Sequence, residues 1–241
     1  AALAACMMAS TLPVGAFALE GDTAPESGVS TQAEETVAET VTTIPTETKV
    51  YTIAEGGNYE LLGGNYGRIE INMTDTTKPV NITIKGNVAE TLDDPLFNVT
   101  NAGVVNIVNE GYEVDCATGT KHLMYMRSPE SQVTITGGTY VSQGYNIIMD
   151  FSGTLIVNDA KMKSNAYCIY AGSSGVVTVN GGEYTYCAPV QDRSVFFGEA
   201  GGTITLNDVT ATSIEKALRS STVVISRAPA VKAALFSVLP A

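Results

Sequence analysis

The five residues from Val133 to Gly137 read VTITG, and variants of this pattern recur along the middle of the chain. In each copy two apolar residues flank a third residue, usually Thr, and a polar residue and then Gly or Asp usually follow. The other copies are ITIKG at Ile82 to Gly86, VNIVN at Val105 to Asn109, LIVND at Leu155 to Asp159, VTVNG at Val177 to Gly181 and ITLND at Ile204 to Asp208. The second apolar residues of successive copies are 23, 28, 22, 22 and 27 residues apart. A repeat of this length is typical of a solenoid.

One coil of this solenoid extends from Gln132 to Gly153. Val133 and Ile135 alternate with threonines, as in a strand that buries one face. Two further short apolar runs follow, separated by glycine, so the coil holds three short strands. Such coils cannot bury their inner faces alone and must stack on one another. We therefore predict an all-β fold, a right-handed parallel β-helix of about six coils over residues 79–212.

Stacked coils place equivalent residues in columns, with neighbouring strands roughly 4.8 Å apart. The second apolar positions are expected to share the interior: Ile84, Ile135, Val157, Val179 and Leu206. A second column, eight residues before the next copy, comprises Phe97, Tyr125, Ile147, Ile169 and Phe196. A third column, five residues after the second apolar position, comprises Ala89, Tyr112, Tyr140, Met162, Tyr184 and Ala211. We expect the amides of Asn158, Asn180 and Asn207 to hydrogen-bond along a column of their own.

Three phrases of the repeat resemble the pectate-lyase-like β-helix superfamily: VTITGGTY at Val133 to Tyr140, YCIYAGSSG at Tyr167 to Gly175 and VTVNGGEY at Val177 to Tyr184. The chain resembles more closely the uncharacterised secreted β-helix proteins of Gram-positive gut bacteria, over about residues 79–210. The resemblance implies the parallel β-helix fold. It implies little about activity, although β-helices of this superfamily often cleave acidic polysaccharides.

Residues 1–18 are apolar and uncharged, and they end in Ala16-Phe17-Ala18, an A-x-A cleavage site. We expect a signal peptide that lacks its basic start, with the mature chain beginning at Leu19. The alternative is a lipid anchor on Cys6, because the sequence from Leu3 to Cys6 resembles a bacterial lipobox. The apolar run continues past Cys6, and this favours simple cleavage. The chain is therefore expected to be secreted or attached to the cell surface, with no membrane insertion of the mature protein.

Residues 19–48 hold seven acidic residues, no basic residue and many threonines. Such a segment buries too little apolar surface to offset its ordering entropy, so we predict a disordered linker. Residues 49–78 are assigned to a short N-terminal entry or cap region that precedes the repeat.

Residues 213–241 depart from the repeat and contain neither Gly nor Asp. Thr212 to Glu215 fits a capping box that opens a short helix through about Ser220. The stretch from Pro229 to Leu239 is a candidate for a second helix. Two interpretations stay open, a cap over the last coil and a tail unrelated to the fold.

The chain beyond residue 18 contains three cysteines, Cys116, Cys168 and Cys187. An odd number leaves at least one thiol outside any intramolecular disulfide. Cys168 and Cys187 lie in adjacent coils but at different steps of the coil. Buried thiols are therefore favoured over a disulfide.

The acidic balance of the chain limits the classes of partner. It has 13 basic and 25 acidic residues, a formal net charge of −12, and no basic stripe. Nucleic-acid binding is therefore not expected. The sequence leaves the oligomeric state open.

No catalytic residue, metal site or cofactor is predicted. Lyases of this fold need carboxylate-bound calcium and a basic residue, whereas hydrolases need paired carboxylates. The only consecutive acidic pair within the repeat, residues 79–212, is Asp93-Asp94, which precedes Pro95 and indicates a turn. The single histidine, His122, lies in a polar loop beside Lys121, where an imidazole is ordinarily solvated.

Two coils carry longer loops, at about Val114 to His122 and Cys187 to Ser194, which leave the same corner on either side of two short coils. Insertions in a solenoid often mark its binding face, although insertions without function are the alternative. From three strand spacings, the groove between the loops is expected to be roughly 14 Å wide. The candidate binding residues are Gln143 and Asn165 on its floor, with Asp115, Lys121, His122, Asp192 and Arg193 on its walls. Such a groove suits a saccharide or an extended peptide.

The sequence leaves three functions open. We favour a secreted or cell-surface adhesion or carbohydrate-binding module without catalysis, whose partner is a polysaccharide or a host glycan. The alternatives are a polysaccharide lyase or glycoside hydrolase of the same fold, and a structural stalk from a larger surface protein.

Overall fold

A computed structural model describes residues 40–92, 94–116, 122–150, 152–188, 193–213, 218–220 and 223–227. Over these residues the chain is all-β, and every strand pair is parallel. The strands form three sheets that run along the length of the molecule. Each turn of the chain contributes one strand to each sheet in succession, so the predicted parallel β-solenoid is confirmed.

The strands, numbered in chain order, are short. The first sheet has nine strands in the order β1 (Val41–Thr43), β3 (Gly57–Leu61), β6 (Val80–Ile84), β9 (Val104–Asn109), β12 (Gln132–Thr136), β15 (Gly153–Asn158), β18 (Gly175–Asn180), β21 (Thr203–Asn207) and β24 (Val223–Arg227). The second has seven, β4 (Gly64–Tyr66), β7 (Val88–Glu90), β10 (Glu113–Cys116), β13 (Thr139–Ser142), β16 (Lys161–Ser164), β19 (Glu183–Tyr186) and β22 (Thr210–Ser213). The third has eight, β2 (Val50–Ile53), β5 (Arg68–Asn72), β8 (Phe97–Asn101), β11 (Met124–Met126), β14 (Ile147–Met149), β17 (Ile169–Ala171), β20 (Phe196–Gly198) and β23 (Leu218–Ser220).

The recurring pattern VTITG forms the strands of the first sheet, and between Val80 and Ser213 it defines about six coils, as predicted. Its apolar residues point inward and its intervening residues point outward, since the side chains of a strand alternate between its faces. The five residues expected to share the interior are all buried: Ile84, Ile135, Val157, Val179 and Leu206. Phe97, Ile147, Ile169 and Phe196 are each 0% exposed and form another wall of the same core.

The Gly or Asp that ends four of the six copies has a conformational cause. Gly137 and Gly181 have φ angles of 71° and 69°, and Asp159 and Asp208 have φ angles of 51° and 55°. This left-handed conformation costs glycine little, and Asp is among the few other residues that adopt it readily. The turn from the first sheet to the second therefore selects these two residue types.

The predicted second and third columns contain three errors of register. Met124, not Tyr125, pairs with Phe97 and Ile147 and is buried. The cause is the corner after β11, where five residues (127–131) separate Met126 from Gln132, whereas four (150–153) separate the equivalent Met149 and Thr154. In the third column Val88 and Val114 occupy the positions where Ala89 and Tyr112 were expected. Val88 pairs with Val114, and Val114 pairs with Tyr140. Tyr112 lies instead in the turn between β9 and β10.

The asparagine column is confirmed. Asn180 donates from Nδ2 to Oδ1 of Asn158 over 2.9 Å, and Asn207 donates in the same way to Asn180 over 2.7 Å. A second amide column, which the sequence analysis did not identify, links Asn106 to Asn81 and Asn81 to Asn58, each over 2.9 Å. These amides bond along the solenoid on its outer face and hold successive coils in register.

The sheets extend beyond residues 79–212 at both ends. Strand β1 belongs to the first sheet although it falls within the predicted linker, and β2 to β5 belong to the three sheets although they fall within the predicted entry region. Residues 1–39, which include the expected signal peptide, lie outside the described residues.

The C-terminal segment differs from the expected helix through Ser220. Leu218–Ser220 and Val223–Arg227 are strands that pair with β20 and β21. The run Val223-Val224-Ile225 is β-branched and favours strand over helix. The second expected helix lies outside the described residues.

Each of the three cysteines is a thiol, and the prediction of buried thiols is confirmed for two of them but is wrong for Cys187. Cys116 and Cys168 are buried and Cys187 is exposed. Burial raises the pKa of the Cys168 thiol well above its ordinary value, so that this group is inert toward disulfide exchange at neutral pH.

The packing predicts that a charged substitution destabilises the fold far more at one position of a strand than at the neighbouring position. Replacing Val157 by Asp buries an unpaired charge in the core and should lower the free energy of unfolding by more than about 3 kcal/mol. Ile156 lies on the outer face of the same strand and is only half-buried, so Ile156→Asp is the matched control and should cost much less. Chemical denaturation measures both. Equal midpoints for Val157→Asp and the parent protein would contradict the register.

Candidate functional site

The structure brings four of the predicted groove residues to one region. Gln143 and Asn165 follow β13 and β16, and the Asn165 amide donates to Gln143 Oε1 over 2.5 Å. His122 and Arg193 both contact the ring of Tyr145: the His122 ring centroid lies 5.3 Å from its centroid, and Arg193 Cζ lies 5.9 Å from it. The two loops therefore approach the same tyrosine from different coils.

The remaining predicted residues are not part of this contact. Asp115 is exposed on β10, in the second sheet. Lys121 and Asp192 lie outside the described residues.

The contacts of His122 and Arg193 belong to a larger aromatic cluster on the outer face of the third sheet. Strand register places Tyr125, Ile148, Tyr170 and Phe197 in one outward column. Tyr145 and Tyr167, which precede β14 and β17, form an adjacent column. Ring centroids are 5.4 Å apart for Tyr145 and Tyr167, and 5.1 Å apart for Tyr170 and Phe197. We call these five aromatic rings, with Tyr125, Tyr145, Tyr167, Tyr170 and Phe197 as members, the aromatic ladder.

The aromatic ladder is interrupted by one aliphatic residue. Ile148 occupies the column position between Tyr125 and Tyr170, so these two tyrosines are two strands apart, roughly 9.6 Å. A cavity of about 240 Å³ opens there, lined by His122, Tyr125, Tyr145, Ile148, Asp150 and Tyr170. We call this cavity the tyrosine slot. Ile148 forms its floor and is 6% exposed.

His122 is held at the edge of the tyrosine slot by a backbone hydrogen bond. The Tyr145 N–H donates to His122 Nδ1 over 2.9 Å, so the neutral imidazole carries its proton on Nε2. The ring also makes an edge contact with Tyr125, with centroids 5.7 Å apart.

Charged residues line the opposite edge of the ladder. Arg127, Asp150, Gly172 and Glu199 each follow a strand of the third sheet, and so occupy equivalent positions in successive coils. Arg127 Nε lies 3.7 Å from Asp150 Oδ2, and the Tyr170 hydroxyl donates to Glu199 Oε1. A Cβ at Gly172 would lie 2.4 Å from the Met149 carbonyl oxygen, so no larger residue fits there without backbone movement. Consequently no side chain stands at the position between Asp150 and Glu199.

Burial controls the ionisation of this edge. Burial raises the pKa of the Asp150 carboxyl. The Arg127 guanidinium partly offsets that rise in pKa, whereas the Glu199 carboxylate adds to it. Burial also raises the pKa of the Tyr170 hydroxyl, and its hydrogen bond to Glu199 raises it further. At neutral pH the tyrosine hydroxyl therefore stays protonated and donates to Glu199.

Neither a metal site nor a membrane-spanning helix is found in the part of the chain that the structure describes. No group of three or more His, Cys, Asp or Glu side chains is placed to hold a metal ion. None of the described segments forms a helix long and apolar enough to cross a bilayer.

Comparisons with known proteins leave the site to be interpreted from its own geometry. No protein-family model, no curated protein and no solved structure matches this chain.

Residues at the edges of the site were predicted from the sequence, but its aromatic residues were not. The available signal was their constant offset from the buried column. Tyr145 and Tyr167 each precede an inward isoleucine by two residues, and Tyr170 and Phe197 each follow an inward residue by one. Tyr125 also follows an inward residue, Met124, but its assignment to the core hid that relation.

The charged edge predicts a pattern of pKa changes. Carbon-detected NMR titration should give Asp150 a pKa above its ordinary value of 3.8. Arg127→Met should raise it further, and Glu199→Gln should lower it. Because the folded state holds the Asp150 proton more tightly than the unfolded chain, the contribution of Asp150 to stability is greatest below pH 3.8 and is lost as the pH rises through the raised pKa. Shifts of the opposite sign in the two variants would contradict the assigned causes.

Proposed function

We propose that this protein is a secreted or cell-surface β-solenoid that binds carbohydrate, with a sugar ring held in the tyrosine slot. The observation that carries the proposal is the cavity between Tyr125 and Tyr170, which has an apolar floor and a polar rim. Tyr145, another member of the aromatic ladder, lines the cavity and contacts Tyr170 edge-on, with ring centroids 5.9 Å apart.

The dimensions of the tyrosine slot suit one pyranose ring. Carbon atoms in contact lie about 3.5–4.0 Å apart, so a ring stacked between two tyrosines needs roughly 7–8 Å. Tyr125 and Tyr170 stand roughly 9.6 Å apart along the sheet. The C–H faces of the sugar would contact the tyrosine rings and Ile148.

The rim supplies the hydrogen bonds that a sugar needs. Asp150 lines the cavity and accepts hydrogen bonds from hydroxyl groups, and Glu199 holds the Tyr170 hydroxyl beside it. Arg193, which stands over Tyr145 and Tyr167, adds a donor on the same side as His122. Small-ligand sites commonly combine aromatic walls with a few convergent polar groups.

The proposed location follows from the N-terminal sequence. Residues 1–18 resemble a signal peptide, and residues 19–39 read as an acidic tether. The resemblance of the repeat to pectate-lyase-like β-helices, and to secreted proteins of Gram-positive gut bacteria, supports the same location. We expect N-terminal sequencing of the exported protein to begin at Leu19, and an acylated Cys6 as the first residue would contradict this.

Binding of the sugar in the tyrosine slot should make the affinity for glycans sensitive to substitution of Tyr170. A glycan array should identify the ligands, and calorimetry should measure the affinity of the tightest one. Tyr170→Ala should weaken its binding at least about tenfold, because one stacking face is lost. Tyr112→Ala removes an exposed tyrosine from a turn outside the aromatic ladder and is the matched control. It should bind like the parent protein.

Two outcomes would contradict the proposal. Equal losses in Tyr170→Ala and Tyr112→Ala would place the ligand elsewhere. No binding to any array glycan would favour the structural stalk, the interpretation in which the solenoid only spaces other parts of a surface protein.

Glycoside hydrolysis is a second candidate, favoured by one specific observation. Asp150 and Glu199 are two coils apart, roughly 9.6 Å along the sheet, and the position between them is Gly172. Inverting glycosidases place their two carboxyl groups about 6.5–9.5 Å apart to admit a water molecule. Incubating the protein with the array ligand and assaying new reducing ends distinguishes the two functions, because a binding module leaves the glycan intact.

A further inference from the structure

A second cavity adjoins the charged edge of the aromatic ladder. It measures about 450 Å³ and is lined by Arg127, Pro129, Ser152, Ser173 and Ser174. Arg127 joins it to the tyrosine slot, because its guanidinium contacts both Tyr125 and Asp150. We call it the serine cavity.

Arg127 is oriented before any ligand arrives. Its Cζ lies 4.5 Å from the centroid of the Tyr125 ring, so the guanidinium rests on that ring. Asp150 approaches it at Nε, over 3.7 Å. Its closest carboxylate contact is therefore at Nε and not at the two terminal nitrogens. Those nitrogens form a planar fork of the kind that binds oxyanions.

The serines supply further donors, and one of them is in a strained conformation. The Ser152 hydroxyl donates to the Pro129 carbonyl over 3.2 Å, whereas the hydroxyls of Ser173 and Ser174 are exposed and make no hydrogen bond to another described residue. Ser174 has a φ angle of 148°, in a region that glycine adopts readily and other residues rarely adopt. In the next coil Gly201, with a φ angle of 96°, stands at the equivalent position. Ser174 therefore keeps a hydroxyl at the cavity at some cost in backbone strain.

We propose that the serine cavity binds a tetrahedral oxyanion, a sulfate or phosphate ester carried by the saccharide in the tyrosine slot. The fork of Arg127 binds two oxygens, and the hydroxyls of Ser173 and Ser174 donate to the others. A planar carboxylate has no further oxygens for the serines. This inference rests on the proposed function for the identity of the carrier, but the oxyanion subsite itself can be tested without a saccharide.

Inorganic ions test the serine cavity directly. The Arg127 side-chain signal in nitrogen-resolved NMR should shift saturably with sodium sulfate and with sodium phosphate, and not with sodium acetate at equal ionic strength. Arg127→Lys keeps the charge but loses the fork, and should weaken sulfate binding about tenfold, as the loss of a charge-assisted bidentate contact implies. Lys161→Gln, on the second sheet, is the control for general charge and should leave the affinity unchanged.

The Ser174→Gly variant distinguishes a role of Ser174 in anion binding from a purely structural role. Relieving the strained φ angle should raise the melting temperature, while loss of the hydroxyl should weaken sulfate binding several-fold. A merely structural serine would give the first change without the second. An equal response to acetate, or full sulfate affinity in Arg127→Lys, would overturn the proposal.

Matched glycans then test the carrier. Chondroitin oligosaccharides with and without sulfate differ only in the ester, and a mannose oligosaccharide with and without phosphate provides the phosphate arm. The esterified member of a pair should bind more tightly, and Arg127→Lys should remove the difference. Equal affinity within both pairs would overturn the inference, whereas loss of glycan binding in Tyr170→Ala would still support the proposed function. Ion binding with no glycan binding at all would keep the subsite and overturn the proposed function.

Discussion

The parallel pairing of successive coils is the constraint on which the rest of this structure depends. Each coil adds one strand to each of three sheets, so a residue has as its neighbours the residues one coil before and one coil after it. The interior exploits this with columns of aliphatic and aromatic side chains that are fully buried. The outer faces obey the same rule, since a pleated strand presents alternate residues to each side.

The outer face of the third sheet shows what this constraint does to a surface. Aromatic residues in successive coils stack into the aromatic ladder, and they cover one another's faces where the column is continuous, as in Tyr170 and Phe197. Where Ile148 takes the place of a ring, the faces of the flanking tyrosines are left apart and the tyrosine slot results. The site is therefore an omission in a regular column rather than a device added to the fold.

The sequence predicted the interior well because burial imposes a strong pattern. Val157 and Ile169 were assigned correctly, and so was the amide column through Asn180, because copies of the repeat align around them without a gap. Tyr125 was misassigned because the corner after β11 is longer than that after β14, and corner length is not encoded in the alternation of the strand. A shift of one residue exchanges the inner and outer faces, so this error hid a wall of the tyrosine slot. His122 was expected to be solvated, whereas it accepts a hydrogen bond from the Tyr145 backbone, a contact between coils that no local pattern reveals.

Completing the aromatic column tests the central claim most directly. Ile148→Tyr would place a ring in the tyrosine slot at a position where the neighbouring coils already carry tyrosines. The measurement is the affinity of this variant for the tightest array glycan, alongside its melting temperature. The variant should be at least as stable as the parent protein and should lose glycan binding, because the added ring occupies the space of the sugar. A stable variant that binds the glycan as tightly as the parent protein would contradict the central claim.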